Sequence, residues 1–396
     1  MKKIFLFLVA VVFLMLGACE RDSINTSGND ESDLVKLQDG DIIPGQYVVL
    51  LKEGVTSLKL VKSGYQEAQA LMRVEMQKIL RASEISEKEP LQVYTASIEG
   101  FAVNLSEKEA ESLARNSGVR GVWPDRMVVL AKPGTTPTPL PAEVTPSGIT
   151  RVGGGITYTG TKKIWIIDTG IDLTHPDLNV DASNGKTFVP RTSTPNDDNG
   201  HGTHCAGIAA AIDNTVGVVG VAAGAKVVPV KVLDKRGSGA MSVIMAGVDY
   251  VTANGVAGDA ANMSLGGSAY DPLDLKVIAM GAEGIFVSLA AGNESDDANN
   301  HSPARANGLN IYTISACDVS DKWAYFSNYG NPPVDYCAPG VSIKSTYKGG
   351  TLATMSGTSM AAPHACGVLL LTNGKPQTSG YVIGDPDGKA DPIIHN

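Results

Sequence analysis

Three short segments carry the residue types that nucleophilic catalysis requires. Ile166-Ile167-Asp168-Thr169-Gly170-Ile171-Asp172 ends an apolar run in a carboxylate, and Asn199-Gly200-His201-Gly202-Thr203-His204-Cys205-Ala206-Gly207 packs two histidines and a cysteine together. The third, Ser356-Gly357-Thr358-Ser359-Met360-Ala361-Ala362-Pro363-His364, sets a serine ahead of small residues. A hydroxyl attacks poorly at neutral pH unless a base takes its proton, and that base needs an acceptor to orient it. Asp168, His201 and Ser359 are of the types that fill these roles. Each alone has an ordinary reading, because aspartates end strands, serines cap helices and single histidines pack. A rival reading makes His201, His204 and Cys205 zinc ligands in another class of hydrolase. Against it, helix positions three and four apart share a face, whereas Cys205 immediately follows His204 and points elsewhere.

Rigid supports are needed to bring such groups together. From residue 147 onward, strand-like runs alternate with helical ones: Lys163 to Ile167, a helix from His201, Lys226 to Leu233, a helix over Gly239 to Ala253, Asn262 to Leu265, and Gly284 to Ala290. This alternation predicts an α/β fold, a parallel sheet with helices on both faces. Active groups in such sheets gather at strand C-terminal ends and neighbouring helix N-termini.

Taken together the segments resemble the subtilisin-like serine proteases, whose chain order is also Asp, His, Ser. The segments NGHGTHCAG and Phe326-Ser327-Asn328-Tyr329-Gly330 look most like the proteinase K branch, and the resemblance runs from about Val144 to Leu371. It implies a serine endopeptidase with Ser359 as nucleophile, His201 as general base and then acid, and Asp168 as the residue that orients the imidazole. Asn293 would donate its side-chain amide to the oxyanion, beside the backbone N–H of Ser359. Ser264, Leu265, Gly266 and Gly267, with Ala290, Ala291 and Gly292, match the walls of the pocket for the residue before the cleaved bond. His301 matches a position near its floor. Protein and peptide substrates would bind there as an added strand.

The resemblance also implies structural calcium and no organic cofactor. The ligands would be the side chains of Asp177 and Asn214, the carbonyls of Ile212, Val216 and Val218, and an oxygen near Glu143. An acidic turn at Asp385-Pro386-Asp387-Gly388 reads as a turn first and an ion site second. Roughly 25 residues follow Leu371, so either the fold is a minimal version of the family's or its edge is finished by a short strand and turn.

Ahead of this unit, Met1-Lys2-Lys3, an apolar run to Leu16, and Leu16-Gly17-Ala18-Cys19 read as an export signal over residues 1–18. The ending resembles the lipobox of bacterial lipoproteins, which implies lipidation of Cys19 and a precursor held in the bacterial cell envelope. A polar tether follows over 19–43. Residues 44–130 form a compact α+β module, in which Ser106 and Glu109 make a capping box. Its segments Gly45 to Leu51 and Gly118 to Leu130 resemble the subtilase propeptide, a ferredoxin-like domain that assists folding and then inhibits. A linker over 131–146, with five prolines, leads to the catalytic domain at 147–396. Self-cleavage is expected between Leu130 and Glu143. Because Cys19 lies on the propeptide side, cleavage would free a soluble, extracellular protease from a membrane-held precursor.

A net charge of −9 and pI near 5.2 argue against nucleic acid as a partner. Cys205 and Cys366 lie in small, apolar helical contexts and are expected as buried thiols, while a bridge between Cys317 and Cys337 stays open.

Overall fold

The computed structural model describes residues 36–56, 64–96, 98–131 and 135–396. The export signal, Cys19 and the first part of the tether lie outside these residues.

In the N-terminal module the strands Ile42–Leu51, Pro90–Tyr94, Gly100–Asn104 and Val119–Val129 pair antiparallel under the helices Tyr65–Ala82 and Glu107–Ala114. The second helix starts where expected: Ser106 accepts from the Glu109 amide, and the Glu109 carboxylate accepts from the Ser106 amide. Strand residues alternate between faces. Val49, Leu51, Phe101 and Val103 therefore face the helices, against Met72, Met76 and Leu80. Val48, Leu50 and Ala102 face the other way and share a core with the large unit. The fifth strand of this sheet, Ser238–Ala240, comes from the large unit and pairs antiparallel with Met127–Val129.

The large unit is built on a nine-stranded sheet. Its order is Gln377–Tyr381, Pro392–His395, Val334–Pro339, Ile311–Cys317, Phe286–Ala290, Ala260–Met263, Lys163–Asp168, Lys226–Lys231, Lys186–Thr187. All neighbours are parallel except the first pair. The Lys163–Asp168 strand is buried on both faces, as expected inside a parallel sheet. Ile164 and Ile166 face the helices His201–Ala210 and Thr358–Leu371, whereas Trp165 and Ile167 face Met241–Asn254 and Asp271–Ala282. By the same alternation Asp168 falls on the side of the first pair of helices.

Three expectations need correction. The helix expected from Gly239 begins at Met241, because Ser238–Ala240 is taken up as a strand. Lys226 to Leu233 is strand only to Lys231. The expected strand Asn262 to Leu265 is shifted to Ala260–Met263, which frees Ser264 and Leu265 to shape the pocket. The sheet edge is closed by the hairpin of Gln377–Tyr381 and Pro392–His395, as anticipated. Asp385 and Asp387 form a turn, with their carboxylates accepting from the amides of Asp387 and Lys389. Cys205, Cys317, Cys337 and Cys366 are all free and buried, so the Cys317–Cys337 bridge is not formed.

Candidate active site

Asp168 ends its strand with its carbonyl bonded to the amides of Val232 and Leu233 and its carboxylate fully buried. Both carboxylate oxygens lie 2.9 Å from Nδ1 of His201, and one accepts from the Thr169 amide at 2.6 Å. His201 is the first residue of its helix. The helix meets the sheet so closely that a side-chain carbon at Gly202 would sit 2.1 Å from the Gly170 carbonyl oxygen. Gly200 caps the helix at φ +115°, with the Tyr347 ring filling the space a side chain would need. An Asp168 carboxylate at Nδ1 assigns the proton to that nitrogen and leaves Nε2 as the basic one. Burial works against an imidazolium here, and the facing Asp168 carboxylate outweighs it, holding His201 well above the ordinary 6.5.

Ser359 sits in the first turn of the Thr358–Leu371 helix, only partly buried. Pro363 occupies the position whose amide would normally bond the Ser359 carbonyl, and proline has none to offer. That carbonyl instead accepts from Ser264 Oγ at 2.8 Å and Cys205 Sγ at 3.4 Å. The Ser359 hydroxyl donates to the Ser264 carbonyl at 3.2 Å. Asn293 Oδ1 accepts from the amide and hydroxyl of Thr358. Its Nδ2 is thereby the group left to point outward as a donor.

All seven expected wall residues, Ser264 to Gly267 and Ala290 to Gly292, line one cavity of about 230 Å³ together with Asn293 and Ser359. His301 also lines it and is held by Asp296 at 3.3 Å, with Glu294 at 3.8 Å. The last strand of the N-terminal module runs into this cavity. The amide of Leu130 donates to the Gly237 carbonyl at 2.9 Å, and Leu130 and Ala131 line the cavity beside Ser359. The end of the tether flanks the same strand on its other edge. Gly40 and Asp41 exchange backbone bonds with Met127, and the Asp39 carboxylate accepts from the Val129 amide at 3.0 Å.

The other two members of the histidine segment part company. His204 is turned away, with Nε2 against the Ala353 carbonyl at 3.1 Å; burial and the neighbouring His201 lower its pKa to about 3. Cys205 lies one helical turn from His201, its Sγ 3.9 Å from Nδ1, and burial raises its thiol. Among the described residues the ligand-type side chains that meet are Asp168, His201 and Cys205, without His204, which agrees with the argument against the rival zinc trio. His364 bonds the Met360 carbonyl and is lowered by burial to about 4, so it packs inside its helix.

The oxygen-rich loop expected to hold calcium is wrapped on itself. Asp177 accepts from Asn214 Nδ2 at 2.8 Å and from the Val218 amide at 2.9 Å, and Glu143 accepts from the Asn214 amide. The linker pairs along the loop through Ala142 with Val216 and Val144 with Val218, which carries Glu143 to it. Burial first, then the facing Glu143 charge, push Asp177 up to about 6. Two carboxylates meeting in an otherwise all-oxygen donor set fit a hard divalent cation.

Two buried side chains escaped the sequence reading. Asp197 accepts five hydrogen bonds just ahead of the His201 helix. Lys231, 1% exposed, donates to the carbonyls of Thr169 and Leu233 and to Asp198. An acid a few residues before a helix start was the available signal for the first. A lysine ending an apolar strand gave none for the second.

The model of the subtilase family matches residues 160–383, and that of peptidase inhibitor I9 matches residues 46–131. The chain is 34% identical to the extracellular serine proteinase of Thermus sp. (strain Rt41A), over 90% of this chain and 87% of that protein. It is 32% identical to proteinase R of Parengyodontium album, over 89% and 85%. A crystal structure of a cold adapted subtilisin-like serine proteinase superposes with a TM-score of 0.55 at 35% identity, covering 60% of this chain and 91% of the other. With a catalytic-domain match over more than half its length and an inhibitor domain ahead of it, the chain belongs to the subtilase family and is a secreted serine endopeptidase made as a zymogen.

Proposed function

We propose that Ser359 attacks the scissile carbonyl while His201 Nε2 takes its proton, and that Asp168 holds the imidazole and supports its charge. The proton then passes from His201 to the leaving amine, and a water deprotonated by the same nitrogen releases the acyl group from Ser359. Asn293 Nδ2 and the Ser359 amide, an unpaired donor of the helix's first turn, receive the oxyanion. One observation carries this reading: Cys205 Sγ lies 3.9 Å from Nδ1 of His201 and 3.4 Å from the Ser359 carbonyl, which sets the Asp168–His201 pair beside the serine that lines the cavity with Asn293. A fluorophosphonate probe is expected to label the wild type at Ser359 and to leave Ser359→Ala unlabelled; labelling of both, or of neither, refutes it.

Three finer readings accompany the triad. Residues 44–130 act as inhibitor, the linker at 131–146 is the processing region, and 147–396 is the protease. Within the expected stretch, Leu130 and Ala131 in the cavity favour cleavage directly after Ala131. Calcium bound by Asp177, Asn214, Glu143 and the carbonyls of Ile212, Val216 and Val218 would pin the linker-derived end of the mature chain to the protease body. Lipidated Cys19 holds the precursor at the envelope until processing parts it from the catalyst. Cell fractionation should find Ser359→Ala with membranes and the wild-type protease largely freed, and equal retention overturns the last reading.

A further inference from the structure

Asp168 and His201 come from separate elements, so something must fix the strand against the helix. Their mutual hydrogen bond does not do so alone, since either side chain can rotate away if the backbones drift. The buried carboxylate of Asp197, 3% exposed, joins the two. Its Oδ1 accepts from the Thr169 hydroxyl at 2.9 Å, the Asn199 amide at 2.9 Å and the Gly200 amide at 2.8 Å. Its Oδ2 accepts from the Thr203 amide at 3.0 Å and the Thr203 hydroxyl at 2.6 Å.

Both hydroxyls are used twice, and each crosses between the elements. Thr169, next to Asp168, donates to Asp197 and accepts from the amide of Gly202, next to His201. Thr203, on the histidine helix, donates to Asp197 and accepts from the amide of Asp172, beyond the aspartate strand. A hydroxyl has one proton to give, so Asp197 fixes its direction and leaves its lone pairs for the amide across the gap. The amides of Asn199, Gly200 and Thr203 are donors at the start of the His201 helix, where a negative charge also meets the positive end of the dipole. Thr169, Thr203 and Asp197 are all buried, so water cannot substitute for a lost member.

We infer that Asp197 is a positioning residue for the reaction, the single acceptor through which the Thr169 and Thr203 hydroxyls hold the Asp168 strand and the His201 helix in catalytic register. The inference rests on the proposed roles of Asp168, His201 and Ser359. An asparagine at 197 keeps the volume but replaces one acceptor oxygen by a donor, facing amides or hydroxyls that also donate. The carboxylate–imidazole contact would then lengthen or tilt, and a displacement on the order of 1 Å costs about a hundredfold in rate.

The test is Asp197→Asn in the full-length precursor, allowed to mature, with active sites counted by a fluorophosphonate and kcat, KM and the pH profile measured per labelled site. The titratable groups around His201 are Asp168 on the strand, Cys205 and His204 on its own helix, and Cys366 on the serine helix behind Cys205. Weaker support from Asp168 lowers the pKa of His201, so the acid limb should move down by about half a unit or more. Expected are a kcat lower by about a hundredfold, a nearly unchanged KM, and that shift of the limb. Wild-type kcat and limb per labelled site, with only a lower melting temperature, would reduce Asp197 to a structural cap and overturn the inference. If Asp197→Asn does not mature, Thr203→Val and Thr169→Val decide: each should lower kcat, with Thr203→Ser and Thr169→Ser restoring it. Valine variants that match their serine counterparts overturn it equally. Failure of the triad itself shows differently, as a wild type that does not label at Ser359.

Discussion

Release of the inhibitor should depend on pH through Asp125, a carboxylate of the N-terminal module buried against the start of the Met241–Asn254 helix. Its Oδ1 accepts from the amides of Ser242 at 3.1 Å and Arg126 at 2.9 Å, while Oδ2 is buried with no hydrogen-bond partner among the described residues. Burial raises its pKa from 3.8 to about 6, with the Ser242 and Arg126 bonds only partly opposing. In the separated inhibitor this side chain returns to water and an ordinary carboxylate pKa near 3.9. A group whose pKa is higher in the complex binds a proton on association, so the complex is tightest below pH 4 and loosens as pH rises to about 6. Two units correspond to about 3 kcal/mol, or about a hundredfold in dissociation constant, levelling off above pH 6. The assay is a titration of Ser359→Ala protease, processed in trans by the wild-type enzyme and freed of its inhibitor, with labelled inhibitor module, followed by fluorescence anisotropy from pH 4 to 8. Asp125→Asn should flatten most of the slope. Asp39 and Glu99, also raised by burial, leave a shallower remainder. A wild-type constant that does not change with pH, or a variant that keeps the full slope, refutes the reasoning.

Three further outcomes are expected. The acid limb of kcat/KM should fall above 6.5, because His201 must be neutral to accept the proton and Asp168 holds it high; a limb at or below 6.5 contradicts this assignment. Chelation should lower the melting temperature by roughly 10 °C, about 4 kcal/mol for a cation held at a thousandfold over its dissociation constant, and Asp177→Ala should abolish the difference. An organic mercurial should inactivate the mature enzyme slowly through Cys205, whose Sγ is 3.9 Å from His201 and kept as a thiol by burial, and Cys205→Ser should resist it.

What the sequence discloses follows from how local its causes are. The Lys163–Asp168 strand and the His201 helix announce themselves because apolar runs and small residues adjoin one another in the chain. The capping box at Ser106 is complete within four residues and is found as expected. The cavity walls expected at Ser264 and Ala290 are legible only through resemblance, since the two share a cavity by virtue of sheet order, a long-range property. Ser238–Ala240 reads as the head of a helix because its strand partner lies in another domain more than a hundred residues earlier. Asp197 hides for a related reason: its position suggests a cap, while its two hydroxyl partners come from residues whose significance appears only after strand and helix meet. The Cys205 contact illustrates the converse. Its offset of four from His201 puts both residues on one helix face, so their proximity is local in the chain.

Pro363 leaves a gap in the backbone ladder of the buried Thr358–Leu371 helix, at the carbonyl of Ser359. The first turn of that helix is consequently braced sideways, to the segment after the Ala260–Met263 strand through Ser264 and to the histidine helix through Cys205. A missing ladder bond makes the helix easier to bend at this point, and the two side-chain bonds tie the Ser359 turn to its neighbours instead.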